Sequence, residues 1–261
     1  MNLQIEHIDI FYNKVVVIFL VFARIFSIFY LAPMFNSQNI PAKIRVALSL
    51  LTALVVYPVV SVPESLDIDL LSITFLVLKE LSVGVIIGYT GLLFVSMLRF
   101  TGELLERVMG LADANLIDPL YGEELGIIGQ FQFIIFMLVF LLLNCHHHII
   151  TIISRSFDIV PIGSVIITGG LIAKMVALVG DIFVYGIKFA APILSFLLIT
   201  TVAFGIMGKS IPDMNLLILM IPAKIFIGIV GLITTTPFLI YFINYIIKEF
   251  YKDLNLILKM I

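Results

Sequence analysis

The residues of this chain that could carry chemistry stand out because they are charged and their surroundings are not. Glu80, Asp181 and Lys188 lie inside long apolar runs, and Arg24 and Lys224 interrupt two others. A charge at mid-bilayer costs roughly +2.5–3.5 kcal/mol on insertion scales, so such residues face a bundle interior or a water path and find partners there. Two uses fit: a transport site that hands ions across a membrane, or a buried charge that fixes packing or a contact between subunits. Both stay open at this level. Lys79 and Lys174 have the simpler option of snorkelling to an interface.

Other clusters carry less. Cys145 is followed by His146, His147 and His148, which invites a metal reading. Neighbours on a helix point about 100° apart, so adjacent imidazoles cannot all chelate one ion. His7 is the only other histidine, and a helix end at an interface accounts for the run. The stretch Ala203-Phe204-Gly205-Ile206-Met207-Gly208-Lys209-Ser210 superficially fits a phosphate loop. Its first glycine is replaced by Ala203 and no strand precedes it, so a turn between helices fits better. No Ser/His/Asp or paired-carboxylate arrangement stands out, and neither an enzyme nor a cofactor or metal is expected. Gly84, Gly88 and Gly91 share a spacing that lets helix backbones approach closely, and helix packing is their expected role.

The elements that must position these residues are membrane helices. The chain is 62% hydrophobic and 12% charged over 261 residues, with a mean hydropathy of +1.22. A soluble domain is roughly 45–50% apolar and about 25% charged. So much apolar surface cannot be hidden from water by folding alone, and an integral membrane protein follows. The net charge of −2 gives no basic field for nucleic acid. One cysteine allows no internal disulfide. Glu6 and Asp9 stand where a signal peptide would carry positive charge, so the first apolar run is expected to be retained.

A bilayer-spanning helix needs about 20 apolar residues. Six runs qualify: 15–35, 44–62, 70–100, 125–153, 171–204 and 216–247. No strand-period alternation persists, so the expected fold is all-α, a polytopic membrane protein of long helices and helical hairpins in one domain, 1–261. Lys43 and Arg45 place the first joint inside, which puts the N-terminus outside. Six simple passes then leave the C-terminus outside, yet Lys248, Lys252 and Lys259 argue for inside. One run therefore departs from a simple pass, and the charged third and fifth runs are the ones singled out.

Between the third and fourth runs lies a stretch unlike the rest. Residues 102–131 hold Glu103, Glu106, Arg107, Asp113, Asp118, Glu123 and Glu124, five glycines and Pro119. A polar, bendable insert between two membrane-length runs is either a solvent loop or the working part of the protein.

The order of short motifs resembles the FliR family, flagellar export-gate proteins with counterparts in injectisome type III secretion. Ala23-Arg24 leads to Ala32-Pro33-Met34-Phe35 and Ile40-Pro41-Ala42-Lys43-Ile44-Arg45-Val46, and then to Glu80-Leu81 and Gly84 to Gly88. The most specific block is Gly102, Gly110, Ala114-Asn115, Asp118-Pro119 and Gly129-Gln130-Phe131. Asn144 to His147, Ser156-Phe157, Pro161-Ile162-Gly163, Pro212-Asp213-Met214-Asn215 and Pro222-Ala223-Lys224 follow in order. The chain departs from the family at Asp113, usually a large apolar residue, at Cys145, usually glycine, and at Asp213, usually glutamine.

The resemblance implies a subunit of a helical, hetero-oligomeric export gate in the bacterial inner membrane, at the flagellar basal body. Its implied partners are FliP-like and FliQ-like gate subunits, an FlhB-like switch protein, unfolded export substrates and the lipid bilayer. It implies that some apparent spans are lifted out of the bilayer plane into the assembly. It also makes the loop 102–130 a pore plug, with Met109, Gly110, Leu111, Ala112, Asp113, Ala114, Asn115, Leu116, Ile117, Asp118 and Pro119 as its residues. Apolar members of that set can form a constriction that excludes ions, and the glycines let it swing. A stand-alone secondary transporter using the intramembrane charges is the alternative, although no inverted repeat supports it.

Overall fold

The structure is a computed structural model, and it describes residues 2–32, 40–60, 69–111, 126–210 and 216–261. Seven α-helices make up the described residues: α1 (Asn2–Leu31), α2 (Ala42–Val56), α3 (Leu70–Met109), α4 (Ile127–Leu142), α5 (Cys145–Ile159), α6 (Gly169–Ser210) and α7 (Leu216–Met260). A 3-10 turn, Tyr57–Val59, follows α2, and no strand occurs among the described residues. The fold is an all-α polytopic membrane protein. Five helices are long and apolar enough to cross a bilayer, or six crossings if the bent pair α4–α5 is counted as one.

Local chemistry sets the helix ends. The Pro41 carbonyl accepts from the Ile44 and Arg45 amides at the start of α2. Gly110 ends α3 with a φ of 85°. The Leu111 amide then reaches the Glu106 carbonyl at 2.9 Å and the Gly110 amide reaches that of Arg107 at 3.3 Å, the paired closure of a glycine-terminated helix. The Thr168 hydroxyl accepts from the Leu171 amide at 3.2 Å and caps α6. Pro192 is carried inside α6, and Pro222 and Pro237 inside α7.

The charged third and fifth runs are unbroken helices of 40 and 42 residues. The break falls instead in the charge-free fourth run, where α4 and α5 meet at 71°. Asn144 supplies the bend by adopting φ 53° and ψ 29°, a left-handed conformation that its short polar side chain tolerates better than most. Two of the charges in those helices have ion-pair partners. Glu80 is paired with Arg24, and Lys174 with Asp253.

The described residues gather into two compact units. The first holds residues 1–93, 144–177 and 250–261. Its core is built on α1, whose Val17, Leu20, Val21, Ile25 and Ile28 meet Ala53 and Val56 of α2, Val83 and Ile87 of α3, Ile153 and Phe157 of α5, and Leu254 and Leu258 of α7. The apolar span of α1 is 56% buried, against 17–28% for the other four, so α1 is the most enclosed of the five spans. The second unit holds residues 94–143 and 178–249. There Leu105 and Met109 of α3, Ile128 of α4, Ala190, Ile193 and Leu197 of α6, and Leu232 of α7 form the core.

Candidate functional site

Two buried polar centres emerge, one in each unit. In the first, α1 and α3 approach closely at Gly84. A Cβ there would overlap the Ser27 hydroxyl and the Arg24 carbonyl. Gly88, one turn on, lies against Ile28 and Leu31 in the same way. Glu80 sits one turn before Gly84 on the same face of α3, so the close approach delivers its carboxylate to Arg24.

The result is a buried ion pair. Arg24 Nε donates to Glu80 Oε2 at 2.6 Å, with side chains 0% and 1% exposed. Arg24 Nη1 donates to the carbonyls of Ser156 and Val160, both at 3.0 Å. These carbonyls are at the C-terminal end of α5, where the negative end of the dipole favours a cation; the Ser156 carbonyl also accepts from the Val160 amide at 3.0 Å. The Phe157 ring lies 4.1 Å from the guanidinium carbon, a cation–π distance. Glu80 Oε1 accepts from the Gly163 amide at 2.9 Å, just past the same helix end. Arg24 Nη2 has no partner among the described residues. Desolvation of such a pair offsets much of its attraction, and its value lies in joining three segments at one point.

In the second unit the corresponding centre is Glu106, a residue that sequence reasoning passed over. It lies in the last turn of α3 and is 3% exposed. Its carboxylate accepts from the Ile128 amide and, at 3.4 Å, from the Gly129 amide. Those amides open α4, whose own N-cap, Gly126, offers no side-chain acceptor. Space for the arrangement comes from glycine. A Cβ on Gly126 would overlap the Glu106 carboxyl, and one on Gly102 would overlap the Gly129 backbone. Gln132, one turn into α4, is 0% exposed, and neither of its amide atoms has a partner among the described residues.

The remaining sequence candidates are placed as follows. Met109 is fully buried, with its side chain against Gly228 of α7. Gly110 lies near Ile221, and Leu111 packs on the core of the second unit. Ala112, Asp113, Ala114, Asn115, Leu116, Ile117, Asp118 and Pro119 lie outside the described residues. Of the five charges, the structure brings Arg24 and Glu80 together and leaves the others apart. Asp181 and Lys224 are half-buried and Lys188 is exposed, with its ammonium 5.6 Å from the centre of the Tyr185 ring. None of these three is in an ion pair among the described residues. Gly91 is half-buried. The His146 and His147 rings lie 4.2 Å apart, tilted by 53°, and His148 meets Tyr251 edge-on at 5.2 Å. Lys174 bonds Asp253 at 2.6 Å, a pairing between distant helices that sequence spacing does not signal.

Long apolar helices, buried ion pairing and a polar junction at Glu106 define a polytopic helical membrane protein whose charges serve to join helices. Comparison with known proteins narrows this class. A family model described as bacterial export proteins, family 1, matches residues 15–250. The flagellar biosynthetic protein FliR of Bacillus subtilis (strain 168) is 29% identical over 220 residues, covering 82% of this chain and 83% of the relative. FliR of Pectobacterium carotovorum subsp. carotovorum is 27% identical over 240 residues, with 92% of each chain covered. FliR of Escherichia coli (strain K12) is 22% identical over 231 residues, covering 88% and 87%. The chain belongs to bacterial export protein family 1, the FliR family.

Proposed function

We propose that this chain is a subunit of the flagellar type III export gate in the bacterial inner membrane, forming part of the channel for unfolded substrates. Its relatives carry the name of flagellar biosynthetic proteins. FliP-like and FliQ-like subunits, an FlhB-like switch protein and the exported chains are the proposed partners. Loop 102–130 is the proposed plug, and no enzymatic step is assigned.

The observation that supports an export-gate subunit over a lone membrane protein is the match of the family model of bacterial export proteins to residues 15–250, with relatives named as flagellar biosynthetic proteins matched over most of their length. In such an assembly part of the bundle stands clear of lipid, which removes the disagreement over the C-terminal lysines, since that arises only if every long helix crosses the same bilayer.

The transporter alternative is not favoured, since Glu80 is committed to Arg24 and Gly163. Two measurements test the reading. Purification from the native membrane should recover the chain with other gate subunits, and recovery as a lone oligomer would refute it. Deleting 112–119 should raise ion leak across membranes that hold the assembled complex. Unchanged leak in an intact complex would rule out the plug.

A further inference from the structure

We propose that the exposed face of α2 is a phospholipid-binding surface, and that Lys43 and Arg45 at one end of it hold the headgroup of an anionic lipid. α2 docks on the fold through a narrow stripe. Ser49, Ala53 and Val56, one and two turns apart, are its buried residues, and Ala53 and Val56 join the core built on α1. The rest of the helix is uncovered. Ile44, Leu48, Leu51, Val55 and Val59 form an exposed apolar stripe along its length. The span is 17% buried, the least of the five.

Lipid is the occupant that the dimensions and the two ends of this face fit. The span Ala42–Val59 has 18 residues, which make about 27 Å of helix, close to a hydrocarbon layer of about 30 Å. The spans of α3, α6 and α7 hold 40–42 residues and overrun that layer about twofold. Tyrosines mark both ends of the short span. Tyr30 is exposed at the basic end, with the Arg45 guanidinium carbon 5.6 Å from the centre of its ring. Tyr57 opens the 3-10 turn at the other end. Aromatic side chains gather at the levels where a bilayer meets water.

Charge distinguishes the two ends. No acidic residue stands between Asp9 and Glu64 in the sequence, whereas Glu64, Asp67 and Asp69 follow the far end. Arg45 Nη2 donates to the Ile40 carbonyl at 3.3 Å, which holds the guanidinium at the mouth of the helix. Lys43 is exposed and long enough to snorkel. Two cations beside an apolar face of bilayer length complement a lipid phosphate and its acyl chains together. A partner helix on the same face explains neither the length nor the tyrosines.

The test supplies membranes that hold the chain in its native assembly with phosphatidylglycerol or phosphatidylcholine, each carrying a diazirine in the acyl chain. After irradiation, mass spectrometry measures lipid adducts on residues 46–59. Phosphatidylglycerol should be favoured there at least about fivefold, the factor one basic side chain contributes at a membrane surface. Lys43→Gln with Arg45→Gln should bring the ratio to about one. Lys209→Gln with Lys248→Gln, an equal change of charge at exposed residues of the second unit, should leave it unchanged. Lys43→Gln alone should lower the ratio part-way, and decides the matter if the double variant does not accumulate; an unchanged ratio in it then overturns the site. No adducts on 46–59, while other apolar stretches of the chain are labelled, would show that protein covers α2 and overturn the proposal. Equal yields from the two lipids would leave a lipid boundary with no headgroup site. A preference that survives the double variant would place the site elsewhere. Either result overturns the assignment of Lys43 and Arg45.

Discussion

Glu80→Ala isolates the energetics of the buried pair. The substitution leaves the Arg24 guanidinium fully buried, with the Ser156 and Val160 carbonyls and the Phe157 ring but no countercharge. It also strips the Gly163 amide of its acceptor. Breaking a buried pair from one side costs about 3–5 kcal/mol, because the surviving ion stays desolvated. At about 2–4 °C per kcal/mol for a chain of this size, the unfolding midpoint should fall by about 6–20 °C. Replacing both residues, Arg24→Met with Glu80→Met, removes the charge along with its partner and should recover most of the loss. Thermal unfolding of the parent, Arg24→Met, Glu80→Met and the double variant in one detergent, followed by circular dichroism, closes the cycle. A Glu80→Ala midpoint within about 2 °C of the parent, or single costs that simply add, would refute the reasoning.

Two further outcomes follow from backbone geometry. Gly84→Ala should separate α1 from α3, because its methyl meets the Arg24 carbonyl as well as the Ser27 hydroxyl. Adding Ser27→Ala should not restore stability, since the carbonyl remains; full rescue in a thermal melt would show the contact to be softer than drawn. At the bend, Asn144→Gly should be nearly neutral, whereas Asn144→Val should cost about 1–2 kcal/mol for forcing a β-branched residue to positive φ. Equal melting of the two variants would show that the left-handed turn does not govern the bend.

How much of this the sequence discloses depends on the range of the interaction. Apolar runs announce the helices, because burying a backbone in hydrocarbon requires an unbroken internal hydrogen-bond ladder. The run 70–100 is accordingly found within α3, and 171–204 within α6. The bend at Asn144 is harder to read, since a single asparagine in a charge-free run gives no sign that its φ will turn positive. The partners of the charges are not legible at all. Arg24 and Glu80 are 56 residues apart, and Arg24 and Val160 are 136. Glu106 looks like one more solvent charge in a polar stretch until its neighbour across the fold is known.

The two buried centres meet the outer ends of the bent pair, away from the break. The two pieces are short, at 16 and 15 residues, and at the outer end of each the helical ladder runs out of partners for its backbone groups. At the start of α4 those groups are amides, and a carboxylate, Glu106, meets them. At the end of α5 they are carbonyls, and a guanidinium, Arg24, meets them. The signs are the ones the helix dipole demands, and each such contact contributes up to about 2 kcal/mol where solvent is excluded. Each anchoring charge comes from the first half of the chain, and each is let in by a glycine, Gly126 at one end and Gly84 at the other. If the dipole is what holds these ends, exchanging charge for shape should fail unequally. Glu106→Gln keeps a hydrogen-bond acceptor and should retain part of the α4 anchor. Arg24→Met keeps only apolar bulk, and should release the α5 end unless Glu80 is replaced as well. Hydrogen exchange at the α4 start and over residues 156–163 reads the two ends separately, and equal protection in both variants would show that packing, not charge, holds the broken pair in place.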